Sequence, residues 1–374
     1  MLPYGRQNVT DADLEAVSAA LRSDWLTTGP RVDDFERDLA AVAGTGCVAV
    51  SSGTAALHTA YAAAGIGPGA EVITTPMTFY ATAGTASMLG ATVVFADVEE
   101  DTANLDPYAV EAAVTSRTRA IAAVDYAGHP AEYDALRKVA DSVDAVLIAD
   151  AAHAIGSAYR GRPVGSLADL TTFSFFPTKN LTTGEGGAVA STDPELLRRA
   201  REFRTVGLVR DRSRMRYPDE GAWHQEVHEF GLNYRLPDVL CALGSSQLRR
   251  LAAFKARRAW LSARYDELLA GVPGLRLPVT RAHVDPMRHL YPVRILDGRR
   301  REVFDRMRAA GIGVQVNYIP VYWHPVYEDL GYRRGMCPNT EAFYAEELSL
   351  PLFHDLSDGD QERVVETLRT VLES

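Results

Sequence analysis

The sequence is poor in cysteine and has no long apolar run. Its 374 residues include only three cysteines, Cys47, Cys241 and Cys337, and none of them has C-x-x-C spacing. This excludes a disulfide framework or a thiolate zinc site as the organising element, and we expect three reduced structural thiols. No apolar stretch approaches membrane-spanning length, and the N-terminal residues lack the apolar core of a secretory signal. We therefore predict a cytoplasmic protein.

An excess of basic charge is also missing. Lysine and arginine total 39 against 49 aspartates and glutamates, which gives a net charge of −10 and a pI near 5.4. This balance argues against nucleic acid or an anionic membrane surface as the partner, although a few arginines could still form a local basic pocket. The length allows one large domain with a substantial core and a smaller second domain.

Two nucleotide-binding signatures are absent as well. No G-x-G-x-x-G follows any predicted strand, and the Gly-x4-Gly-Lys spacing of a phosphate-binding P-loop does not occur. The chain is therefore neither a simple dinucleotide-binding protein nor a P-loop protein.

Short apolar runs recur between residues 47 and 191, each bounded by turn or helix-cap residues. Several are apolar at successive positions, which is typical of strands covered on both faces of a largely parallel sheet. Helical patterns lie between most of them, so the pattern predicts an α/β layer architecture. The predicted strands are 47–50, 71–75, 92–98, 119–128, 145–150, 171–176 and 187–191, and the predicted helices between them are 54–65, 80–90 and 131–142.

The two ends of the chain have a different pattern. Thr10 and Asp13 resemble a capping box that opens an amphipathic helix with Leu14, Val17 and Leu21 on one face. We predict a large domain over 1–250, including an N-terminal arm, and a small C-terminal domain over 251–374. The predicted elements beyond residue 206 are a polar loop 207–230, a helical stretch through 236–258 and 260–269, a segment 289–296, a helix 301–310, a segment 311–320 and a final helix 361–372.

Two residues directly after the first predicted strand are candidates for anion binding. Gly53 permits close approach of a ligand to the backbone, and Thr54 begins a helix whose free N–H groups attract anions. Open α/β sheets bind ligands at such strand ends. An ordinary tight turn with a Ser/Thr cap would give the same short pattern.

Three further candidates lie at later strand ends. Asp150 ends an apolar run, where burying a carboxylate is costly without a partner, although a solvated strand-end aspartate is the simpler alternative. His153 follows, and a lone histidine is more often structural than catalytic. Lys179 lies in FSFFPTKNLTTGEGG (173–187), where apolar neighbours would desolvate it. Desolvation lowers the pKa of a lysine and makes its amine available for imine chemistry.

The order and spacing of these motifs resemble the DegT/StrS family of sugar-nucleotide aminotransferases, which are fold-type-I enzymes dependent on pyridoxal 5′-phosphate (PLP). The resemblance covers essentially the whole chain and is closest to the C4 aminotransferases of the pseudaminic-acid route. It implies a large domain with a mostly parallel seven-stranded sheet between helices, plus a smaller C-terminal α+β domain. The motifs are SDWLTTGP (23–30), SSGT (51–54), DAAH (150–153), SFFPTKN (174–180), GEGG (184–187), GLNYRL (231–236), IGVQVNYIPVY (312–322) and ELSLPLF (347–353).

The resemblance implies roles at the cofactor ring. Lys179 would form the Schiff base with PLP and carry the proton during transamination, with pyridoxamine 5′-phosphate as the intermediate cofactor form. Asp150 would pair with the pyridine nitrogen, His153 would lie against the phenolic oxygen, and Phe79 would stack on the ring.

At the phosphate, the resemblance implies the N–H groups of Gly53 and Thr54 and the hydroxyl of Ser174. Asn233 would contribute from the neighbouring subunit, which implies an obligate homodimer with shared active sites.

The implied substrates are L-glutamate as amino donor and a nucleotide-linked keto-sugar as acceptor. Arg235 is a candidate for binding a carboxylate or diphosphate. Further candidates for substrate contact are Trp25, Thr28, Tyr318 and Tyr322.

Phe176 and Val206 occupy positions where pseudaminic-type relatives tend to carry histidine. Together with the Ala/Arg/Gly-rich composition, this favours dTDP-4-keto-6-deoxy-D-glucose as acceptor, giving dTDP-4-amino-4,6-dideoxyglucose for amino-sugar or antibiotic synthesis. The alternatives are a UDP-4-keto-6-deoxy-N-acetylhexosamine acceptor, a 3-keto-sugar acceptor and a non-catalytic PLP-binding regulator. A sugar dehydratase of the same fold would carry histidine in place of Lys179.

Overall fold

The computed structural model describes all of residues 1–374 and contains thirteen α-helices and fifteen strands. The helices are α1 (Asp11–Leu21), α2 (Pro30–Ala43), α3 (Gly53–Ala63), α4 (Ala81–Met88), α5 (Pro107–Ala113), α6 (Tyr133–Ser142), α7 (Pro194–Arg204), α8 (Asp238–Leu248), α9 (Leu251–Leu269), α10 (Arg300–Ala309), α11 (Pro325–Asp329), α12 (Pro338–Glu346) and α13 (Asp358–Glu373). The strands are β1 (Gly46–Val50), β2 (Glu71–Thr74), β3 (Thr92–Phe95), β4 (Thr118–Val124), β5 (Val146–Asp150), β6 (Ala158–Tyr159), β7 (Arg162–Pro163), β8 (Leu170–Ser174), β9 (Gly187–Ser191), β10 (Leu208–Val209), β11 (Glu226–Val227), β12 (Leu275–Arg276), β13 (Val284–Asp285), β14 (Tyr291–Ile295) and β15 (Glu347–Leu350).

The central sheet has seven strands in the order β1-β9-β8-β5-β4-β2-β3. β3, β2, β4, β5 and β8 are successively parallel, and β9 runs antiparallel to both of its neighbours. All seven predicted strands are present, and the mixed α/β architecture with a mostly parallel sheet is confirmed.

Burial on both faces explains why these strands are apolar at successive positions. In β1, Cys47 and Ala49 face one core cluster, whereas Val48 and Val50 face a second cluster across the sheet. Side chains alternate between the two faces of a strand, so helices on both sides require apolar residues at every position.

A third core cluster of 19 buried residues lies entirely between Leu261 and Val371, around the sheet β12-β14-β15. The chain from Val321 to Cys337, however, packs into a core cluster of the large sheet. The division of the chain at residue 251 therefore stays a prediction.

The helices differ from the predictions in two places. The helical stretch predicted through 236–258 and 260–269 is present, but it is divided near Arg250, where α8 ends and α9 begins. The Arg250 side chain binds Asn8 and pairs with Asp13 at 2.6 Å. The capping box of α1 is confirmed, but Leu14 and Leu21 are exposed, because α1 packs on α8 through its other face.

Other segments also differ in detail. The segment predicted as a polar loop contains the short antiparallel pair β10–β11, and α5, α7 and α12 had no predicted counterpart. No helix is both long and apolar enough to span a membrane.

Candidate active site

A cavity of about 460 Å³ lies at the carboxyl ends of the central strands. Residues from the C-terminal part of the chain, His289 and the segment 315–318, complete its wall. Eight of the residues predicted from the sequence line this one cavity: Gly53, Thr54, Phe79, Asp150, His153, Ser174, Lys179 and Tyr318.

One end of the cavity is built to hold an anion. The Ser52 hydroxyl accepts from the N–H of Ala55, which leaves the N–H groups of Gly53 and Thr54 without an acceptor at the start of α3. A Cβ on Gly53 would lie 2.7 Å from the Cβ of Ser174, so only glycine leaves this space open. Free N–H groups at a helix N-terminus, next to a serine hydroxyl, fit a phosphate group.

Asp150 ends β5 and is buried beside the cavity. Its Oδ2 accepts from the Thr82 hydroxyl at 2.6 Å, and its Oδ1 accepts from the Ala152 N–H at 3.2 Å. Burial raises the pKa of this carboxyl despite the two donors and the nearby charge of Lys179, and no cationic side chain forms an ion pair with it. A buried carboxylate without an ion-pair partner is costly, so the site fits a ligand that brings a protonated nitrogen.

Lys179 lies on the same cavity wall, and its Nζ makes no hydrogen bond or ion pair. Burial lowers the pKa of its amine to about 8, and the charge of Asp150 opposes this shift. Asn180 holds the loop in place by donating to the carbonyls of His153 at 2.9 Å and Met287 at 3.1 Å. The desolvation predicted for Lys179 is thus present, and about a tenth of the amine is neutral at pH 7.

His153 is a buried, neutral imidazole. Burial and the nearby Lys179 hold its pKa well below the ordinary value. Its Nε2 lies 3.0 Å from the Tyr318 hydroxyl, whereas its Nδ1 is buried without a partner. The ring of His289 packs against it with 4.4 Å between ring centroids.

Five predicted site residues do not line this cavity. Asn233, Trp25 and Thr28 are exposed, and Arg235 is half-buried outside the cavity. Tyr322 requires a correction, because its side chain is 0% exposed and its hydroxyl donates to Glu341 at 2.7 Å. We therefore remove Tyr322 from the candidate substrate contacts.

Several lining residues had not been predicted: Tyr4, Thr82, His289, Gln315 and Asn317. Thr82 lies three residues after the predicted site residue Phe79, so a hydroxyl there was a usable signal. His289 and Asn317 are far from Lys179 along the chain, and nothing local in the sequence indicates that they face it.

The family model for the DegT/DnrJ/EryC1/StrS aminotransferase family matches residues 7–369. The chain belongs to this family. It is 39% identical to the spore coat polysaccharide biosynthesis protein SpsC of Bacillus subtilis, over 99% of this chain and 97% of that protein. It is 38% identical to the UDP-4-amino-4,6-dideoxy-N-acetyl-β-L-altrosamine transaminase of Campylobacter jejuni, over 100% of this chain and 98% of that one.

Among solved structures of the family, Spr1654 of Streptococcus pneumoniae, assigned as a sugar aminotransferase, superposes with a TM-score of 0.94 in its pyridoxamine-phosphate form. That match has 31% identity and covers 100% of this chain and 99% of the other. The same protein has been solved in its PLP form. As a member of this family, the chain of residues 1–374 is a PLP-dependent sugar-nucleotide aminotransferase of fold type I.

The cavity residues fit PLP. The cradle of Gly53, Thr54 and Ser174 would hold the phosphate, and Asp150 would meet the ring nitrogen. When bound, PLP supplies a protonated pyridine ring that withdraws electrons from the bonds broken at the amino-bearing carbon.

Proposed function

We propose that this enzyme transfers an amino group from L-glutamate to C4 of a nucleotide-linked 4-keto-6-deoxyhexose in two successive half-reactions. The observation that carries the proposal is the presence of three groups in one cavity: an anion cradle, a buried carboxyl and a desolvated lysine amine. Such a combination can bind a phosphorylated pyridine and move protons beside it.

Each of the chain's own residues has a defined task in this proposal. Lys179 takes up and returns the proton at the amino-bearing carbon, and its lowered pKa brings its proton affinity close to the working pH. Asp150 keeps the ring nitrogen protonated, supported by the Thr82 hydroxyl. His153 would lie beside the ring, and the cradle at Gly53 would hold the phosphate, since both line the same cavity.

Two acceptor sugars are supported by different observations. The Campylobacter jejuni relative, 38% identical over the whole chain, acts on a UDP-linked N-acetylated 4-amino sugar, which favours a UDP-4-keto-6-deoxy-N-acetylhexosamine. Phe176 lies on the cavity wall and is 46% exposed. By the family resemblance, this is a position where pseudaminic-type relatives tend to carry histidine. A phenyl ring cannot donate a hydrogen bond to an acetamido group, which favours the simpler dTDP-4-keto-6-deoxy-D-glucose.

A substrate panel tests the proposal. The purified enzyme is incubated with glutamate and with UDP-, dTDP- or GDP-linked 4-keto-6-deoxy sugars, and the products are identified by NMR. We expect a new amine at C4 of one of the first two sugars. Amination only at C3, or of no keto-sugar, would refute the proposed reaction.

The glutamate half-reaction separates this enzyme from a non-catalytic PLP-binding regulator. Without any sugar, glutamate should convert the bound cofactor to its amino form, and the visible absorbance band of bound PLP should disappear. A regulator would keep that absorbance unchanged.

We also propose that the enzyme is a homodimer with shared active sites. Several large apolar side chains are exposed, and two of them, Phe79 and Phe176, lie on the cavity wall, where a neighbouring subunit could cover them. The others are Trp25, Leu26 and Leu232. Asn233 and Arg235 lie outside the cavity of their own chain, which leaves them available to a neighbouring subunit.

A further inference from the structure

Tyr318 touches two residues of the cofactor site. Its hydroxyl lies 3.0 Å from His153 Nε2, and the two rings are stacked with an interplanar angle of 23°. Its ring also meets Phe79 edge-on, with 6.2 Å between centroids. His153 is the only hydrogen-bond partner of the hydroxyl.

The backbone that carries Tyr318 is held by buried hydrogen bonds. The preceding Asn317 donates its N–H to Glu347 at 2.7 Å and its amide Nδ2 to Ser349 at 3.0 Å, and its carbonyl accepts from Tyr126. The N–H of Tyr318 itself points to the sulfur of Met77 at 3.4 Å. The hydroxyl therefore extends from a fixed support, and its position is set before any substrate enters.

The proton arrangement favours Tyr318 as the donor in this pair. Burial raises the pKa of the Tyr318 phenol, so the hydroxyl keeps its proton, and His153 is neutral for the reasons given above. If the hydroxyl accepted from His153 instead, both the phenolic proton and the buried Nδ1 lone pair would lack partners. With Tyr318 donating, only the Nδ1–H lacks a partner, and leaving fewer buried polar groups unpaired costs less.

We propose that Tyr318 is a positioning residue: it holds the His153 ring against the cofactor from the C-terminal part of the chain, and it does not bind the sugar. The proposal rests on the role of His153 beside the cofactor ring in the proposed function. His289, whose ring centroid lies 4.4 Å from that of His153, confines the same ring. The hydroxyl that the sequence suggested for substrate binding is thus already committed to a side chain of the site.

The test is Tyr318→Phe, which removes only the hydroxyl, measured alone and combined with His153→Gln. The first readout is the pH titration of the absorbance of bound PLP in the holoenzyme. The second is kcat and KM for the sugar and for glutamate. Tyr265→Phe is the matched control, since Tyr265 donates one buried hydrogen bond, to the Pro351 carbonyl at 2.9 Å, far from this cavity.

We expect Tyr318→Phe to shift the midpoint of the absorbance titration and to lower kcat roughly three- to tenfold, with the sugar KM changed by less than about twofold. In the His153→Gln background the same substitution should have no further effect on either readout. Tyr265→Phe should leave the titration unchanged.

Two results would overturn the proposal. One is an increase in the sugar KM that persists in the His153→Gln background, which would make Tyr318 a direct substrate contact. The other is an unshifted absorbance midpoint. The absorbance titration needs neither sugar nor glutamate. An unshifted midpoint would therefore refute the role of Tyr318 without refuting the proposed reaction, and a shifted midpoint would support that role even if another sugar proves to be the acceptor.

Discussion

At the scale of single residues, burial sets the protonation of Lys179 and Asp150, the two groups that we propose act on the cofactor. Burial lowers the pKa of Lys179 and raises that of Asp150, so each is driven towards its neutral form. A lysine amine that is partly neutral can act as a nucleophile and as a base. A carboxyl that resists ionisation needs a cation beside it, which makes it selective for a protonated ring nitrogen.

Asp150→Asn should therefore separate cofactor binding from catalysis. The amide keeps the shape and can accept from Thr82, so PLP should still bind, but the ring nitrogen loses its anionic partner. We expect kcat to fall by about 10²-fold or more. Asp144→Asn, an exposed position just before the same strand, is the control and should be neutral. Comparable activity in Asp150→Asn and the wild type would show that the ring nitrogen is supported in another way.

Gly53→Ala tests the anion cradle. The new methyl group would meet the Cβ and Oγ of Ser174 at 2.7 and 2.9 Å, so Ser174 or the start of α3 must shift. We expect the Kd for PLP to rise roughly tenfold or more while the thermal stability of the apo-protein falls only modestly. The control is Gly359→Ala, where a Cβ meets nothing within 4 Å. PLP affinity equal to that of the wild type would mean that the phosphate is held elsewhere.

At the scale of elements, the segment 313–320 depends on β15 for its position. Glu347 at the start of β15 is fully buried and accepts from the Asn317 N–H at 2.7 Å and the Ser349 hydroxyl at 2.6 Å. This segment carries the Asn317 and Tyr318 side chains into the cavity wall. A carboxyl that does not itself line the cavity thus helps to shape the site.

Glu347 should make stability depend on pH. Burial raises its pKa from the ordinary 4.5 to about 8, so between these values the folded chain holds a proton that the unfolded chain releases. The stability that this group contributes is therefore greatest below pH 4.5 and falls as pH rises towards 8. Glu347→Gln removes this dependence.

Thermal unfolding between pH 5 and 8 measures the effect. We expect the difference in Tm, wild type minus Glu347→Gln, to fall by at least about 2 °C between pH 5 and pH 8. Glu373→Gln changes an exposed carboxylate near the C-terminus, and its Tm should change with pH in the same way as that of the wild type. A constant difference between wild type and Glu347→Gln would show that Glu347 stays ionised when folded.

At the scale of the whole molecule, the question is whether one chain is sufficient for activity. The cavity contains Lys179, Asp150 and the anion cradle, whereas Asn233 of the same chain lies outside the cavity and is exposed. If neighbouring chains exchange this residue, each active site is formed from two subunits.

Subunit complementation tests this arrangement. Lys179→Ala and Asn233→Asp homodimers should each lose nearly all activity, the first for lack of the amine and the second through repulsion of the phosphate. A heterodimer of one Lys179→Ala chain and one Asn233→Asp chain is isolated with two affinity tags. If Asn233 acts in the neighbouring subunit's site, one site of this heterodimer contains both substitutions and the other contains neither. We expect about half of the wild-type activity per dimer.

Light scattering on the same samples should give the mass of two chains. An inactive heterodimer would show that Asn233 acts within its own chain, and a monomeric active enzyme would remove the shared-site proposal altogether.

The predictions that succeeded rest on local patterns. Apolar residues at successive positions predicted all seven strands, because a strand buried on both faces must be apolar throughout. The desolvation of Lys179 followed from its aromatic and aliphatic neighbours in the chain. The grouping of Gly53, Asp150 and Lys179 in one cavity followed because their segments end at the same edge of the sheet.

What only the tertiary structure decided involves residues far apart in the chain. His153 and Tyr318 are separated by 165 residues in the chain. Arg250 lies between α8 and α9 and pairs with Asp13, which is also distant in sequence. Tyr322 lies four residues beyond Tyr318, yet its hydroxyl turns into the core towards Glu341. The sequence by itself determined the strands, the desolvation of Lys179 and the family. The side chains that hold His153 and Glu347 in place depend on how the C-terminal part of the chain packs on the sheet, and that packing leaves no periodic signal in the sequence.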